Sequence, residues 1–549
     1  MKIRSDILRI YQAVHTWGGI CAGMLLFIGF FGGALTMFKE PLDRWVSAPT
    51  VSASPLAPAQ VDKVVADVLA AYPAAREEFT LHVARHENTP APVSWQAGES
   101  GHEIDFGLVR WQATLDGQGA LAVEQVKPSL LAQLIDMLHR TGGIPGTLGE
   151  EYFGIYVMGV AGVLYFLALV SGVVLLLPTL VKDFFALRAG KNRKRFWLDA
   201  HNILGITSLP FHIVISLTVV VFAFHDQFYD GLRGIVYRER PMFVPPAIHN
   251  VPGDATKLLP ASELVRRVQQ QAPGFEVTEL LYMGVESPRP IVRAAVASPR
   301  HVVQGAETGF VILQPYTGDI LSTSMLPGQG NTWSAMVAPF FALHFGSYGG
   351  VTVRWLYFVF GLAGAALFYT GNLLWIEKRR KNQLKNGPLP AQPLRTALIA
   401  SATVGVCLGS VAGIGACMVA AKWLHAFNAH ANDAYPTVYY AIFLACVAWA
   451  FARGAARAGR ELLVACAVTA LAIPVTSVAG ALVPALNMWA HTSPATLGVD
   501  ATALVLAGLF AWAARLAARR AAQGPADSVW ANATDAAQAA PEAVRKVGT

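Results

Sequence analysis

The chain has few charged residues for its length. Asp, Glu, Lys and Arg make up 14% of its 549 residues, whereas about 25% is usual for a soluble globular protein. The hydrophobic fraction is 54% and the mean hydropathy is +0.43. These values indicate a membrane protein.

Paired cysteines and nucleotide-binding motifs are also absent from the sequence. All five cysteines lie in apolar runs, no two are spaced as a ligand pair, and there is no C-x-x-C-H. Covalent c-type haem attachment is therefore excluded, and outer domains held by disulfides are not expected. No cytoplasmic segment long enough to fold carries a dinucleotide-binding or P-loop fingerprint, which excludes a nicotinamide, flavin or ATP domain on this chain.

The net charge of +7 has a distribution that fits membrane topology. Basic residues cluster beside apolar runs and do not form a groove-like patch, so a nucleic-acid partner is not expected. A helix needs roughly 20 apolar residues to cross a bilayer. On this criterion we predict about eight spans, at 16–38, 153–178, 202–224, 353–376, 395–421, 437–452, 461–486 and 498–514.

The basic clusters all fall on one side of these predicted spans. They occupy the N-terminus and the segments after spans two, four, six and eight. The positive-inside rule makes that side cytoplasmic, which places both termini in the cytoplasm of a bacterial inner-membrane protein. Two long segments, 39–152 and 225–352, are then periplasmic. The Ala-rich tail, 521–549, is expected to be disordered.

The first four spans are predicted to be an internal duplication. Unit one opens with His15-Thr-Trp-Gly-Gly19 and unit two with His201-Asn-Ile-Leu-Gly205. Each unit later has Leu-His shortly before Gly-Gly, at Leu138-His139 and at Leu343-His344. The spans that follow share G-x-A-G and a later Ser-Gly or Thr-Gly, at Gly172 and Gly371.

The outer segments of the two units match as well. Each has a run with helical apolar spacing, followed by alternating runs with a turn signal, which predicts a small α+β domain present twice. Both units have the same orientation, so an axis along the membrane normal should relate them. That axis places His15 beside His201 near the inner surface and His139 beside His344 near the outer surface.

Two facing histidine pairs suit haem iron. Imidazole is a good iron ligand, and helical bundles build cofactor sites from side chains on facing helices. Gly19 and Gly205 lie one turn from their histidines on the same helix face and leave room for a flat macrocycle. A zinc site is less natural because it usually needs three or four ligands. We therefore expect two b-type haems, with His15, His201, His139 and His344 as axial ligands.

Other interpretations of the histidines remain open at this stage. A single histidine near a membrane interface is more often a hydrogen-bonded structural residue, and the repeat-paired arrangement is what argues for function. His212 shares a helix face with His201 and is an alternative ligand, although its unit-one equivalent is apolar and Pro210 disturbs the backbone. His225 is expected to be interfacial.

The motifs together resemble the PepSY-associated transmembrane family of iron-regulated membrane proteins. The resemblance covers about residues 1–385. It rests on the two histidine openings, both Leu-His motifs and the outer domains, and on Trp197-Leu-Asp199-Ala-His201, Leu343-His344-x-Gly346 and Thr370-Gly371-Asn-Leu-Leu-Trp375. It implies unit one at 1–198 with a PepSY-like domain at 50–127, and unit two at 199–385 with a second at 253–325. A four-helix membrane extension, 386–520, follows.

The resemblance also implies a function. Members of the family include di-haem ferrisiderophore reductases, so we expect transfer of electrons from quinol or a cytoplasmic reductase to a periplasmic ferric siderophore or other iron complex. Besides lipid, these are the partners expected. One alternative is a PepSY-domain binding, sensory or peptidase-modulating protein without redox activity. Another is a siderophore or metal transporter, although mid-membrane Asp and Glu are scarce. The role of the extension stays undecided.

Overall fold

The computed structural model describes most of the chain. The described residues are 4–49, 55–85, 89–96, 104–149, 151–183, 186–188, 193–237, 250, 253–298, 308–326, 328–329, 332–385, 387–427 and 431–531.

Helices dominate the described residues. In chain order they are α1 (Ser5–Thr36), α2 (Lys39–Val46), α3 (Pro58–Ala71), α4 (Ala74–Glu77), α5 (Leu131–Thr141), α6 (Phe153–Leu176), α7 (Leu180–Asp183), α8 (Arg193–Thr207), α9 (Leu209–Ala223), α10 (His225–Leu232), α11 (Ala261–Gln271), α12 (Thr332–Phe345), α13 (Gly350–Lys378), α14 (Leu394–Phe427), α15 (Ala431–Arg453), α16 (Ala455–Leu482) and α17 (Pro494–Gln523).

The strands belong to the outer segments. They are β1 (Glu78–His82), β2 (Val93–Gln96), β3 (Arg110–Leu115), β4 (Leu121–Val126), β5 (Thr147–Leu148), β6 (Glu151–Tyr152), β7 (Glu276–Met283), β8 (Ile291–Ala297), β9 (Gly309–Leu313) and β10 (Ile320–Ser322).

The protein is a polytopic helical membrane protein. Among the described residues, seven helices are long and apolar enough to cross a membrane, and a bent pair brings the number to eight. The sixth and eighth predicted spans are longer than expected, because α15 has 23 residues and α17 has 30.

The third predicted span is not one straight helix. α8 and α9 meet at an angle of 70° around Ser208. Pro210 follows the break, and it has no N–H to donate to the carbonyl one turn earlier, while its ring crowds that carbonyl. The expectation of a continuous helix over 202–224 was therefore wrong. His201 lies on α8, and His212 lies on the other side of the bend, on α9.

The two outer segments form a single antiparallel sheet. Its strand order is β10-β9-β8-β7-β1-β2-β3-β4, so each unit supplies a four-stranded meander. The halves join where β1 pairs with β7 over five residue pairs, Glu78 to His82 against Met283 to Glu279. α3 and α11, which precede the meanders, share their hydrophobic core, which includes Val68, Leu264 and Leu280. The sequence predicted a small α+β domain present twice, and this edge-to-edge pairing joins the two copies into one sheet.

The membrane helices pack as a repeat bundle with the extension against it. α1 lies against α6 and α13, α6 lies against α9, and α14 contacts α1, α5 and α13. We call the membrane side at which α1 ends and the sheet begins the sheet side. The other side, where α1 begins and α13 ends, is called the basic side.

The segment after the last span is ordered further along the chain than predicted. α17 continues to Gln523, and the Oδ2 atom of Asp527 accepts a hydrogen bond of 2.6 Å from the backbone N–H of Gln383. Trp530 is buried beneath the guanidinium of Arg520, 4.9 Å from the ring centroid. An ordered segment up to 531 therefore replaces the first part of the predicted disordered tail, and 532–549 lie outside the described residues.

Candidate functional site

The first histidine pair lies toward the basic side of the bundle. His15 is on α1 and His201 is on α8, and their ring centroids are 6.3 Å apart. The two ring planes are nearly perpendicular, at 84°. The fold thus brings together two residues that are 186 positions apart and that open the two repeated units.

The second pair lies at the sheet side. His139 is on α5 and His344 is on α12, and their ring centroids are 6.2 Å apart with an interplanar angle of 35°. These are the two Leu-His histidines. Their centroid separation matches that of the first pair to within 0.1 Å, although different helices carry them.

Backbone carbonyls define which ring nitrogen carries hydrogen in two of the four histidines. The Nδ1 atom of His15 lies 2.7 Å from the carbonyl oxygen of Ala168, and that of His139 lies 2.7 Å from the carbonyl oxygen of Gly29. A carbonyl oxygen can only accept, so each Nδ1 is the donor. In the neutral ring this leaves the Nε2 lone pair available as a metal ligand.

The other two histidines have different Nδ1 environments. The Nδ1 atom of His344 lies 2.8 Å from the hydroxyl of Thr218, which itself donates to the carbonyl of Val214 at 2.8 Å. The hydroxyl therefore accepts from Nδ1, and Nε2 of His344 is again free of the proton. The Nδ1 atom of His201 is buried, with no hydrogen-bond partner among the described residues.

Repeat-equivalent glycines pack closely against the two rings of the basic-side pair. A Cβ atom at Gly172 would lie 3.0 Å from Cε1 of His15, and one at Gly371 would lie 3.3 Å from Cε1 of His201. Both distances are shorter than an ordinary contact of 3.4–4 Å. The sequence marked these glycines only as landmarks of the repeat, and their contact with the rings became visible in the structure.

Two glycines of α1 also pack closely against His139. A Cβ atom at Gly32 would lie 3.1 Å from the Cβ of His139, and one at Gly33 would lie 2.8 Å from its Cε1 and Nδ1 atoms. Sequence reasoning missed both positions, although the Gly-Gly within an apolar span was a signal of close helix packing.

Gly19 and Gly205, predicted to leave space beside their histidines, have open surroundings. A Cβ atom at Gly19 would have no atom within 4 Å, and one at Gly205 would meet only Leu367, at 3.9 Å. An added Cβ atom would therefore meet open space at Gly19 and an ordinary contact at Gly205.

A cavity of about 530 Å³ adjoins the sheet-side pair. Its interior is apolar and aromatic and reaches Tyr165 and Phe211, and both His139 and His344 line it. Partly exposed charged side chains also line it, and we call this part of the lining the mouth of the cavity: Lys39, Glu40, Asp136, Arg140 and Arg354. The volume falls within the range of about 300–1,000 Å³ that is typical of sites for small molecules and cofactors.

The mouth of the cavity has loosely paired charges. Arg354 lies 4.0 Å from Glu40, and Arg140 lies 3.9 Å from Asp136, at the limit of an ion pair. Lys39 is 3.8 Å from the same Asp136. Such contacts between partly exposed side chains are weak, so these cations can change partners when an anionic group enters.

The alternative ligand His212 is packed in the aromatic core. Its Nδ1 atom is 2.5 Å from the hydroxyl of Tyr165, and its ring contacts Phe30 and Phe211. Its Nε2 atom is buried, with no partner among the described residues. His201 is the histidine whose ring meets that of His15, and the assignment of His212 as an alternative ligand stays a prediction.

His225 lies at the rim of the same cavity. Its Nδ1 atom donates to the carbonyl of Phe222 at 2.9 Å, and its Nε2 atom is 3.2 Å from Asp226. The two contacts engage both ring nitrogens.

Comparison with known protein families found a match over the repeated part of the chain. The family model of the PepSY-associated TM region matches residues 12–378, more than half of the chain. The protein belongs to this family. All four paired histidines lie within the matched region, and α14 to α17 lie beyond it. A search of curated proteins found no match.

Proposed function

We propose that this PepSY-family membrane protein holds two b-type haems, one between His15 and His201 and one between His139 and His344. The observation that carries the proposal is the equal separation of the two pairs, 6.3 and 6.2 Å between centroids. Two imidazoles that each held one iron through a ring nitrogen at about 2 Å would have their centroids about 6 Å apart.

The tautomers support the same assignment. Metal-binding histidines usually donate their second ring N–H to a carbonyl or another acceptor, which orients the ring and makes the ligating nitrogen more basic. His15, His139 and His344 have this arrangement through Ala168, Gly29 and Thr218. A purely structural histidine has no need to keep Nε2 free of the proton at three of the four repeat-related positions.

The positions of the pairs suit electron transfer across the membrane. Gly32, which lies against His139, is 17 residues after His15 on α1. This corresponds to a distance of about 25 Å along the helix. The hydrocarbon core of a bilayer is about 30 Å thick. A bound haem supplies reversible one-electron chemistry, while the protein holds it, orients it and sets its electrostatic surroundings.

The cations at the mouth of the sheet-side cavity have a corresponding role in this proposal. In this proposal the carboxylates of a haem would be held by Arg140, Arg354 and Lys39, and its apolar part would occupy the cavity. Inside, Phe30, Phe368 and Tyr165 pack edge to face at 5.2–5.6 Å and exclude water between the two pairs.

We further propose a ferric siderophore or a related Fe(III) complex as the substrate, in the periplasm of a bacterium on the sheet side of the inner membrane. One electron converts Fe(III) to Fe(II), which the oxygen donors of a siderophore hold more weakly. Quinol or a cytoplasmic reductase on the basic side would supply the electron. The positive-inside distribution of Lys and Arg supports this orientation.

A haem-free sensory or peptidase-modulating protein is the second candidate. The observation that favours it is the large joined sheet, whose edge strands β4 and β10 each pair on one side only within the described residues and so offer pairing sites for another chain. In that case the histidine pairs would have only structural roles.

The test is a spectrum of purified full-length protein, oxidised and dithionite-reduced, with haem quantified per chain. We expect two b-type haems in the wild type and one in His139→Ala or His15→Ala. His82→Ala, in the sheet and hydrogen-bonded to Ser94, is the matched control and should keep both. Wild-type protein without haem, after expression with ample haem supply, overturns the proposal and favours the second candidate.

A further inference from the structure

The short helix that carries His139 is bonded at its N-terminal end to α15, a helix of the extension beyond the family match. The side chain of Asn432 makes two hydrogen bonds there. Its Oδ1 atom accepts from the backbone N–H of Leu130 at 3.0 Å, and its Nδ2 atom donates to the carbonyl of Pro128 at 2.9 Å. The hydroxyl of Tyr435 lies 3.0 Å from that of Ser129.

The same helix of the extension also reaches the C-terminal end of α5. The hydroxyl of Tyr440 donates to the carbonyl of Gly143 at 3.2 Å. Gly142 and Gly143 end α5 with φ values of +62° and +74°, in the left-handed region that favours glycine. His139 lies only four residues before Gly143, so this bond acts close to the ring.

α5 is too short to hold its own position. It has 11 residues, and isolated helices shorter than about 12–15 residues are marginal in water. Its orientation therefore depends on the elements that it contacts. α1 and α6 pack along its side, whereas the hydrogen bonds from Asn432, Tyr435 and Tyr440 hold both ends.

We propose that α15 is a positioning element for the sheet-side haem site. By fixing both ends of α5, it sets how the His139 ring faces His344 and thereby the ligand field and potential of that site alone. This inference rests on the proposed function and assigns a role to the extension. Asn432, Tyr435 and Tyr440 are positioning residues, since none of them touches the histidine pair.

Neighbouring tyrosines on α15 provide a matched pair of variants. Tyr440→Phe removes the hydroxyl that bonds Gly143 and keeps the ring. Tyr439→Phe removes a buried hydroxyl that has no hydrogen-bond partner within the described part of the chain. The two substitutions delete the same atom from adjacent residues, and Tyr440→Phe is the one that loses a hydrogen bond to Gly143. Asn432→Ala tests the other end of α5.

The first measurement is hydrogen–deuterium exchange of 128–143 in the full-length protein, which does not depend on haem. A lost hydrogen bond contributes about 0.5–1.5 kcal/mol, so we expect exchange to rise roughly 2- to 12-fold in Tyr440→Phe and at least as much in Asn432→Ala. Tyr439→Phe should exchange like the wild type. Unchanged exchange in both test variants overturns the claim that α15 fixes α5.

The second measurement is a redox titration with ferric electron paramagnetic resonance of the haem-loaded protein. We expect Asn432→Ala and Tyr440→Phe to shift the potential and signal of the centre that His139→Ala removes, and to leave the other centre unchanged. Equal shifts of both centres would mean a general loss of packing and would overturn the site-specific role. Failure of the proposed function looks different, because the wild type would then contain no haem to titrate.

Discussion

The contact between Gly33 and His139 offers the sharpest single substitution for the sheet-side site. In Gly33→Ala the new Cβ atom would lie 2.8 Å from Cε1 and Nδ1 of His139, whereas an ordinary contact begins at 3.4 Å. The imidazole must therefore move by about 0.6 Å relative to α1. The same ring donates from Nδ1 to the carbonyl of Gly29 at 2.7 Å, so the movement also strains that bond.

The size of the effect follows from two opposing terms. Overpacking a filled site by one methyl group costs about 1–3 kcal/mol. Replacing Gly with Ala inside a helix stabilises the helix by about 1 kcal/mol through helix propensity. This gain applies to α1 and leaves the steric contact with the imidazole unchanged. If the steric cost falls on the geometry of the pair, the affinity of the sheet-side site for haem drops roughly 5- to 150-fold.

The assay measures haem per chain, together with the ferric spectrum of each centre, as haem is titrated into the protein. We expect Gly33→Ala to lose or distort the sheet-side centre and to keep the basic-side centre. Gly172→Ala, with its Cβ 3.0 Å from Cε1 of His15, should give the complementary result. Gly508→Ala is the control, because its Cβ would meet nothing within 4 Å.

One result would refute the reasoning. If Gly33→Ala bound two haems with the affinity and spectra of Gly508→Ala, the His139 ring would not rest against α1 in the loaded protein. The proposed ligand geometry at the sheet side would then be wrong, even if the protein bound haem elsewhere.

The remaining predictions concern both pairs, the cavity mouth and the extension. Two imidazole planes at 84° would keep two d orbitals of a bound ferric iron nearly degenerate, so a haem held by His15 and His201 should give a strongly anisotropic resonance. The 35° angle of the other pair should give a more rhombic signal. Two identical signals would contradict these angles. Arg354→Ala removes a positive charge at the cavity and should lower the reduction potential of the sheet-side centre by roughly a few tens of millivolts. Redox titration measures this shift, and Arg453→Ala is the control. Asp500→Ala removes the acceptor of the Ser477 hydroxyl at 3.0 Å and one of the two acceptors of Trp45 Nε1, at 2.9 Å, so thermal unfolding should show a loss of about 1–3 kcal/mol. A wild-type melting curve would count against this bond network.

Much of the membrane architecture could be predicted from the sequence because the patterns that indicate it are local. A stretch of about 20 apolar residues has few alternatives to a membrane helix. The duplication was equally readable, since His15 and His201 open the units and Leu-His recurs at His139 and His344. From that symmetry alone the partners within each pair could be predicted.

Other features of the fold depended on contacts that no local pattern encodes. The joining of the two outer domains through β1 and β7 required the edges of two distant meanders to meet. The 70° bend at Ser208 was hinted at by Pro210, but a proline can also be accommodated by a slight kink, so the angle depends on how α8 and α9 pack.

The candidate site shows the same division between sequence and tertiary structure. The sequence by itself determined which four histidines are equivalent and that glycines accompany them. Only the tertiary structure decided that Gly33 and Gly172 press against the rings, that Ala168, Gly29 and Thr218 bind the Nδ1 atoms, and that His212 bonds to Tyr165. The physical reason is the distance along the chain that each feature involves. Apolar runs and repeats are visible in the sequence, whereas a ring contact or a hydrogen bond between helices exists only once the helices have packed.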